Sequence, residues 1–129
     1  MITKSAAIMI FDRFKQEVLV KETWYQHVAP NIKAIVLYGS VAKGLNRDNS
    51  DIDILLIVPL KLEERYTTGE YLYTYKNQEI NIVLRSVERL RRIAREGNDA
   101  FQKEIFRSSQ IIAAADHEIE TLLEKIARI

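Results

Sequence analysis

Two aspartates one residue apart, Asp51 and Asp53, open an apolar run that continues Ile54-Leu55-Leu56-Ile57-Val58. Alternate side chains of an extended chain share a face, so both carboxylates point to one side, roughly 7 Å apart along the backbone. Ile52 and Ile54 point the other way, into a core. Like charges held this close repel, and a divalent cation is the usual remedy. Upstream lies Tyr38-Gly39-Ser40-Val41-Ala42-Lys43-Gly44. Gly39 can turn sharply and lets a ligand approach the backbone. Ser40 suits the N-cap of a short helix through Lys43, which offers free N–H groups and a hydroxyl to an anion. An anion site beside a paired-carboxylate cation site is equipment for a nucleoside triphosphate with magnesium.

The elements that must hold these groups are legible around them. Residues 32–38 form a β-branched, apolar run that reads as a buried strand, and 51–58 form a second that Pro59 ends. Residues 70–75 and 79–85 read as two further strands joined by a turn at Lys76-Asn77-Gln78. Tyr71, Tyr73 and Tyr75 fall on one face of the first of these, as a packed stripe. Residues 3 to about 22 carry the spacing of an amphipathic helix, with Ala7, Ile8, Phe11, Phe14, Val18 and Leu19 near one stripe. Residues 60–69 fit a helical turn or a loop. Ser86 can cap a helix that Gly97 ends, and two more helices are expected over 99–115 and from Asp116 onward. The fold class that results is α+β: a small mixed sheet of about four strands packed with helices, one domain over residues 1–129 with its core at 30–85 and helices at 86–129.

Composition narrows the function. Nineteen basic and 18 acidic residues leave a net charge of +1, which does not indicate a nucleic-acid binder working by bulk electrostatics. The absence of cysteine excludes disulfides and thiolate metal sites. No apolar stretch is long enough for a membrane span, and no secretory signal is evident, so a cytoplasmic protein is expected.

Gly39-Ser40, the Ala-Lys-Gly after it, and Ser50-Asp51-Ile52-Asp53 resemble the GS…DxD signature of the polymerase-beta-like nucleotidyltransferases. The match is dense over about 30–60 and looser to about 85, and the length resembles that of the minimal nucleotidyltransferases. The resemblance implies that Asp51 and Asp53 hold one or two magnesium ions against a nucleoside triphosphate, with ATP the expected donor. It implies that Gly39 and Ser40 bind phosphates, with Lys43 and Arg47 placed to neutralise phosphate charge. Most of the family carries a third aspartate on the returning strand of the hairpin, where this chain has Asn81. Glu79, two residues earlier on the same strand face, resembles the arrangement of the kanamycin-nucleotidyltransferase branch, and is expected as third metal ligand or base. Glu70 is a weaker member of the same cluster.

The implied activity is transfer of a nucleoside monophosphate to an acceptor hydroxyl with release of pyrophosphate. Minimal nucleotidyltransferases often act beside HEPN-type ribonucleases, so the resemblance makes a toxin tyrosine the leading acceptor, in an antitoxin role. Two alternatives stand: a catalytically weak module that masks its partner, and a small-molecule nucleotidyltransferase completed by dimerisation. Ile119, Leu122, Leu123 and Ile126 form a C-terminal stripe that could dock a partner or a second copy. The arginines at 85, 89, 91, 92 and 95 read as the solvated side of a helix whose buried side is Val87, Leu90, Ile93 and Ala94.

Overall fold

The strands β1 (Ala34–Tyr38), β2 (Ile52–Val58), β3 (Glu70–Tyr75), β4 (Gln78–Ser86) and β5 (Gln110–Ala114) form one mixed sheet, ordered β3-β4-β2-β1-β5. The computed structural model describes residues 2–44, 50–66, 70–97, 106, 108–115 and 117–128. β2 lies at the centre, antiparallel to β1 and parallel to β4. β3 and β4 form a hairpin whose turn residues, Lys76 and Asn77, both have positive φ (48° and 66°), as a tight two-residue hairpin turn requires. The class is α+β as expected, with five strands rather than about four.

Alternation along the strands divides the interior into two cores. Ile35, Leu37, Ile52, Ile54, Leu56, Ile80, Ile82 and Leu84 face the first, which α1 (Lys4–Glu17) and α2 (Thr23–Val28) cover. Val36, Leu55, Ile57 and Val83 face the second, beneath α5 (Val87–Glu96) and α6 (His117–Arg128). Two short helices, α3 (Gly39–Lys43) and α4 (Leu60–Arg65), follow β1 and β2. The caps are those that the residue types favour. Thr3 Oγ1 accepts the Ala6 N–H at 3.1 Å, Ser86 Oγ accepts the Arg89 N–H at 3.0 Å, and Gly97 closes α5 in the left-handed region.

Three expectations need correction. The first helix stops at Glu17; after Val18 a 3-10 turn, Leu19–Lys21, directs Leu19 fully into the core before α2 begins. The end of the helix expected over 99–115 is instead β5, where Gln110 pairs with Leu37 and Ala114 with Ala34. Residues 99–105 lie outside those described. The alanines there favour a helix locally, but the open edge of β1 and the two β-branched isoleucines win. Finally, Ile119, Leu123 and Ile126 of α6 are buried in the second core, so that stripe is spent on folding. No helix among the described residues is long and apolar enough to cross a membrane.

The tyrosine stripe is packed, as expected. Trp24 stacks on Tyr71 at 3.8 Å and 8° and donates its indole N–H to the Tyr73 hydroxyl at 2.9 Å. Phe14 tilts against Tyr73 and Tyr75 at 5.0 and 5.5 Å. Burial pushes the Tyr71 and Tyr73 hydroxyls above their usual value, and a hydrogen bond to Glu17 does so for Tyr75. Phe14 is 1% exposed and anchors this layer. Phe14→Ala is expected to cost about 3–5 kcal/mol, read from the urea midpoint at unchanged slope. A loss below about 1 kcal/mol would remove Phe14 from that role.

Candidate active site

The site forms where β1 ends and β2 and β4 begin. Asp53 sits on β2 opposite Tyr38 of β1 and level with Asn81 of β4. Both neighbours belong to register pairs with Asp53, so all three side chains lie on the face of the second core. Asp53 is half-buried, while Ile52 and Ile54 beside it are fully buried on the other face. The core thus fixes which way the carboxylate points.

Gly39 follows Tyr38 at φ +77°, in the left-handed region. A Cβ at this position would lie 2.3 Å from Asp53 Oδ2. The space that glycine leaves open is therefore taken by the Asp53 carboxylate, a closer reason for glycine than the turn alone. The N-cap position of α3 falls on Tyr38, which makes no side-chain cap. Ser40, expected as the cap, lies one residue inside the helix. Gly44 ends α3 in the left-handed region, its N–H reaching the Ser40 and Val41 carbonyls. The first-turn N–H groups of α3 and the Ser40 hydroxyl thus lie just past Tyr38, the residue paired with Asp53.

Asp51 is half-buried and lies just before β2. Gln78 Nε2 donates to the Ser50 carbonyl at 2.9 Å, tying the chain ahead of Asp51 to the start of β4. Gln78 was not a sequence candidate; its position at the hairpin's exit, level with the Asp51 strand, was the available signal. Lys43 is half-buried in the last turn of α3. Arg47 lies outside the described residues, and Glu70 opens β3 opposite Val83 with its side chain likewise undescribed.

Glu79 is exposed on β4, opposite Thr74. Among the described residues no three Asp, Glu, His or Cys side chains converge to hold a metal ion. What lies beside Asp53 is Asn81, whose Oδ1 is buried without a hydrogen-bond partner. A buried carbonyl oxygen left unpaired costs free energy unless something satisfies it. Two carboxylates and one amide oxygen are hard donors. They fit magnesium, which takes one or two protein carboxylates and completes its shell with water and substrate phosphates.

Residues 20–118 match the model of the family described as Polymerase beta, Nucleotidyltransferase. The chain belongs to this family. The nucleotidyltransferase domain is also similar in fold to a nucleotidyltransferase-like protein from Exiguobacterium sibiricum 255-15, with TM-score 0.58 and 13% identity over 93% of this chain. That alignment spans only 38% of the other protein. A toxin-antitoxin structure with AMP-PNP aligns at TM-score 0.45 and 15% identity, over 85% of this chain and 82% of that one. No curated protein matches this sequence.

The glycine seat yields a comparison within the domain. Gly44 also has positive φ (+72°), but a Cβ there meets nothing within 4 Å. Gly44→Ala is expected to cost about 1 kcal/mol of backbone strain. Gly39→Ala adds the clash with Asp53 and is expected to cost about 2 kcal/mol or more. Thermal and urea unfolding of the two variants measure this, and equal losses would show that Asp53 does not fill the seat.

Proposed function

We propose that the domain transfers AMP from ATP, with magnesium, to a hydroxyl on a protein partner. The observation that carries this reading is Asp53, seated against Gly39 between β1 and β4, in a chain whose family is defined by nucleotidyl transfer. Asp51 and Asp53 are the ligands for magnesium, and the Asn81 oxygen faces the same side. A bound divalent cation would supply charge neutralisation for the triphosphate and for the oxygens that gain charge in transfer. The N–H groups at Gly39 and Ser40, with the Ser40 hydroxyl, donate to phosphate oxygens, and Lys43 and Arg47 add positive charge. Glu79 is assigned as the group that accepts the acceptor's proton; its exposure at the sheet end leaves it open to an incoming substrate. The resemblance to minimal nucleotidyltransferases makes a tyrosine of a HEPN-type ribonuclease the first acceptor to test.

One observation favours a second reading. The third position of the family's carboxylate set is the neutral Asn81, a poor base. A domain that binds nucleotide and masks a partner, with little transfer, is consistent with it. Purified protein with magnesium and α-labelled ATP, with and without a HEPN-type partner, separates the two. Under the transfer reading a partner band is labelled, and Asp53→Asn lowers labelling by about a hundredfold or more. Glu79→Gln is expected to lower it by about a hundredfold as well; undiminished labelling would remove Glu79 from the reaction. Magnesium-dependent ATP binding without label points to masking, and no ATP binding overturns both.

A further inference from the structure

At the far end of β4 from Asn81, a cavity of about 410 Å³ opens between α4 and α5. Ser86, on its wall, pairs with Val58, five residues along β2 from Asp53, or roughly 17 Å at about 3.3 Å per residue. Its charged walls are Glu63, Glu88, Arg89, Arg91, Arg92 and Arg95. Four arginines against Glu63, Glu88 and the Glu118 that holds Arg91 leave +1 here, as much as the net charge of the whole chain. Every cation is arginine and none is lysine. Residues 88, 91, 92 and 95 form one stripe of α5, while Val87, Leu90, Ile93 and Ala94 bury the other side.

The acids of the cavity are already engaged. Glu63, 3% exposed, places Oε1 2.8 Å from Arg89 Nε, close enough for an ion pair but off the line of a good hydrogen bond. That contact engages the guanidinium at Nε, in a side chain that is 39% exposed. Glu88 Oε2 accepts the Leu60 N–H at 2.8 Å, at the start of α4. Arg91 is held by Glu118, with Nη2 2.6 Å from Oε1. Arg92 and Arg95 have no ion pair or hydrogen-bonding side-chain partner among the described residues.

From this geometry we propose a second anion site, separate from the aspartate pair, for a compact phosphate-bearing ligand of pyrophosphate or mononucleotide size. Planar guanidinium forks match phosphate oxygens two at a time, which lysine does not. Arg92 and Arg95, unpaired among the described residues and lining one concavity beside Arg89, suit a group that carries more than one negative charge, which favours phosphate over a single carboxylate. The concave shape favours a small ligand over an extended polymer, which would run beyond the cavity. The site needs no divalent cation, because its charge is already positive. It does not depend on the transfer reading.

The test is calorimetric titration of the full chain with pyrophosphate, and separately with AMP, in EDTA at low salt. One saturable site is expected. Arg92→Ala/Arg95→Ala should weaken it by at least about tenfold, since each charge-assisted hydrogen bond lost carries on the order of that factor. Asp53→Asn should leave it unchanged. Arg92→Lys/Arg95→Lys, which keeps the charge and loses the fork, should fall between. Both arginines are exposed, so the melting curves of these variants should follow that of the parent. Loss of binding in Asp53→Asn with retention in the arginine variants would place the ligand at the aspartates and overturn the proposal. So would the absence of saturable binding, or binding of a single-stranded RNA oligonucleotide but of neither small anion.

Discussion

The contact between Asp53 and Gly39 is the constraint on which the rest of the site depends. The carboxylate oxygen occupies the volume that any side chain on residue 39 would need. The same glycine has the positive φ that carries the chain from β1 straight into α3. One residue therefore ends a strand, starts a helix and seats a carboxylate. Strand register is tied to it as well. A one-residue slip of β2 would turn Asp53 toward the first core and Ile52 and Ile54 toward the site. Burying an unpaired carboxylate costs far more than exposing an isoleucine, so the core and the site enforce the same register.

The central strand shows how far a charged group can be carried into such a sheet. From Ile54 to Val58 every residue of β2 is buried, the alternate residues serving the two cores. Asp51 and Asp53 occupy the row that Leu55 and Ile57 continue, but at the mouth, where Asp53 is only half-buried. There the sheet supplies rigidity from β1 and β4 while water still reaches the carboxylates. A position two residues further in would keep the rigidity and lose the water, and the group would neutralise rather than hold a cation. Gln78 extends this rigidity past the end of β2 by holding the Ser50 carbonyl, so Asp51 gains a fixed approach without lying in the ladder.

Much of this was legible in the sequence because local signals and tertiary demands agree. The apolar runs at β1 and β2, the hairpin turn expected over Lys76-Asn77-Gln78 and formed by Lys76 and Asn77 alone, and the α5 caps at Ser86 and Gly97 are each short-range features that the sheet then uses. β5 was not legible. Gln110–Ala114 has alanine-rich helical character, and only the unfilled edge of β1 makes it a strand. The apolar stripe of α6 was visible, but a stripe on its own does not say whether a second molecule or the chain's own core covers it; here Ile119, Leu123 and Ile126 pack inside. At the site, the doublet and the glycine were evident, and the reason for the glycine was not. It lies in a contact between residues 39 and 53, which no periodicity encodes. Asn81 was visible as a departure from a pattern. Its unpaired oxygen appears only once β4 is set parallel to β2 and level with Asp53.

That amide changes the electrostatics of the mouth in a definite direction. A third carboxylate level with Asp53 would add one more like charge to Asp51 and Asp53, raising their mutual repulsion in the absence of a cation and strengthening the hold on one when present. Asn81 removes both effects. It offers an oxygen without a charge, so on the transfer reading Asp51 and Asp53 would bring two negative charges to a cation instead of three, and the balance would come from the substrate. On the transfer reading, magnesium affinity is then coupled to the triphosphate, which brings its own oxygens and its own charge. On that reading the cation and the nucleotide would be held as one ligand, and the fixed groups would need only to supply a rigid seat. The contact between Asp53 and Gly39, buttressed by a strand that is apolar on both faces behind it, is suited to that requirement.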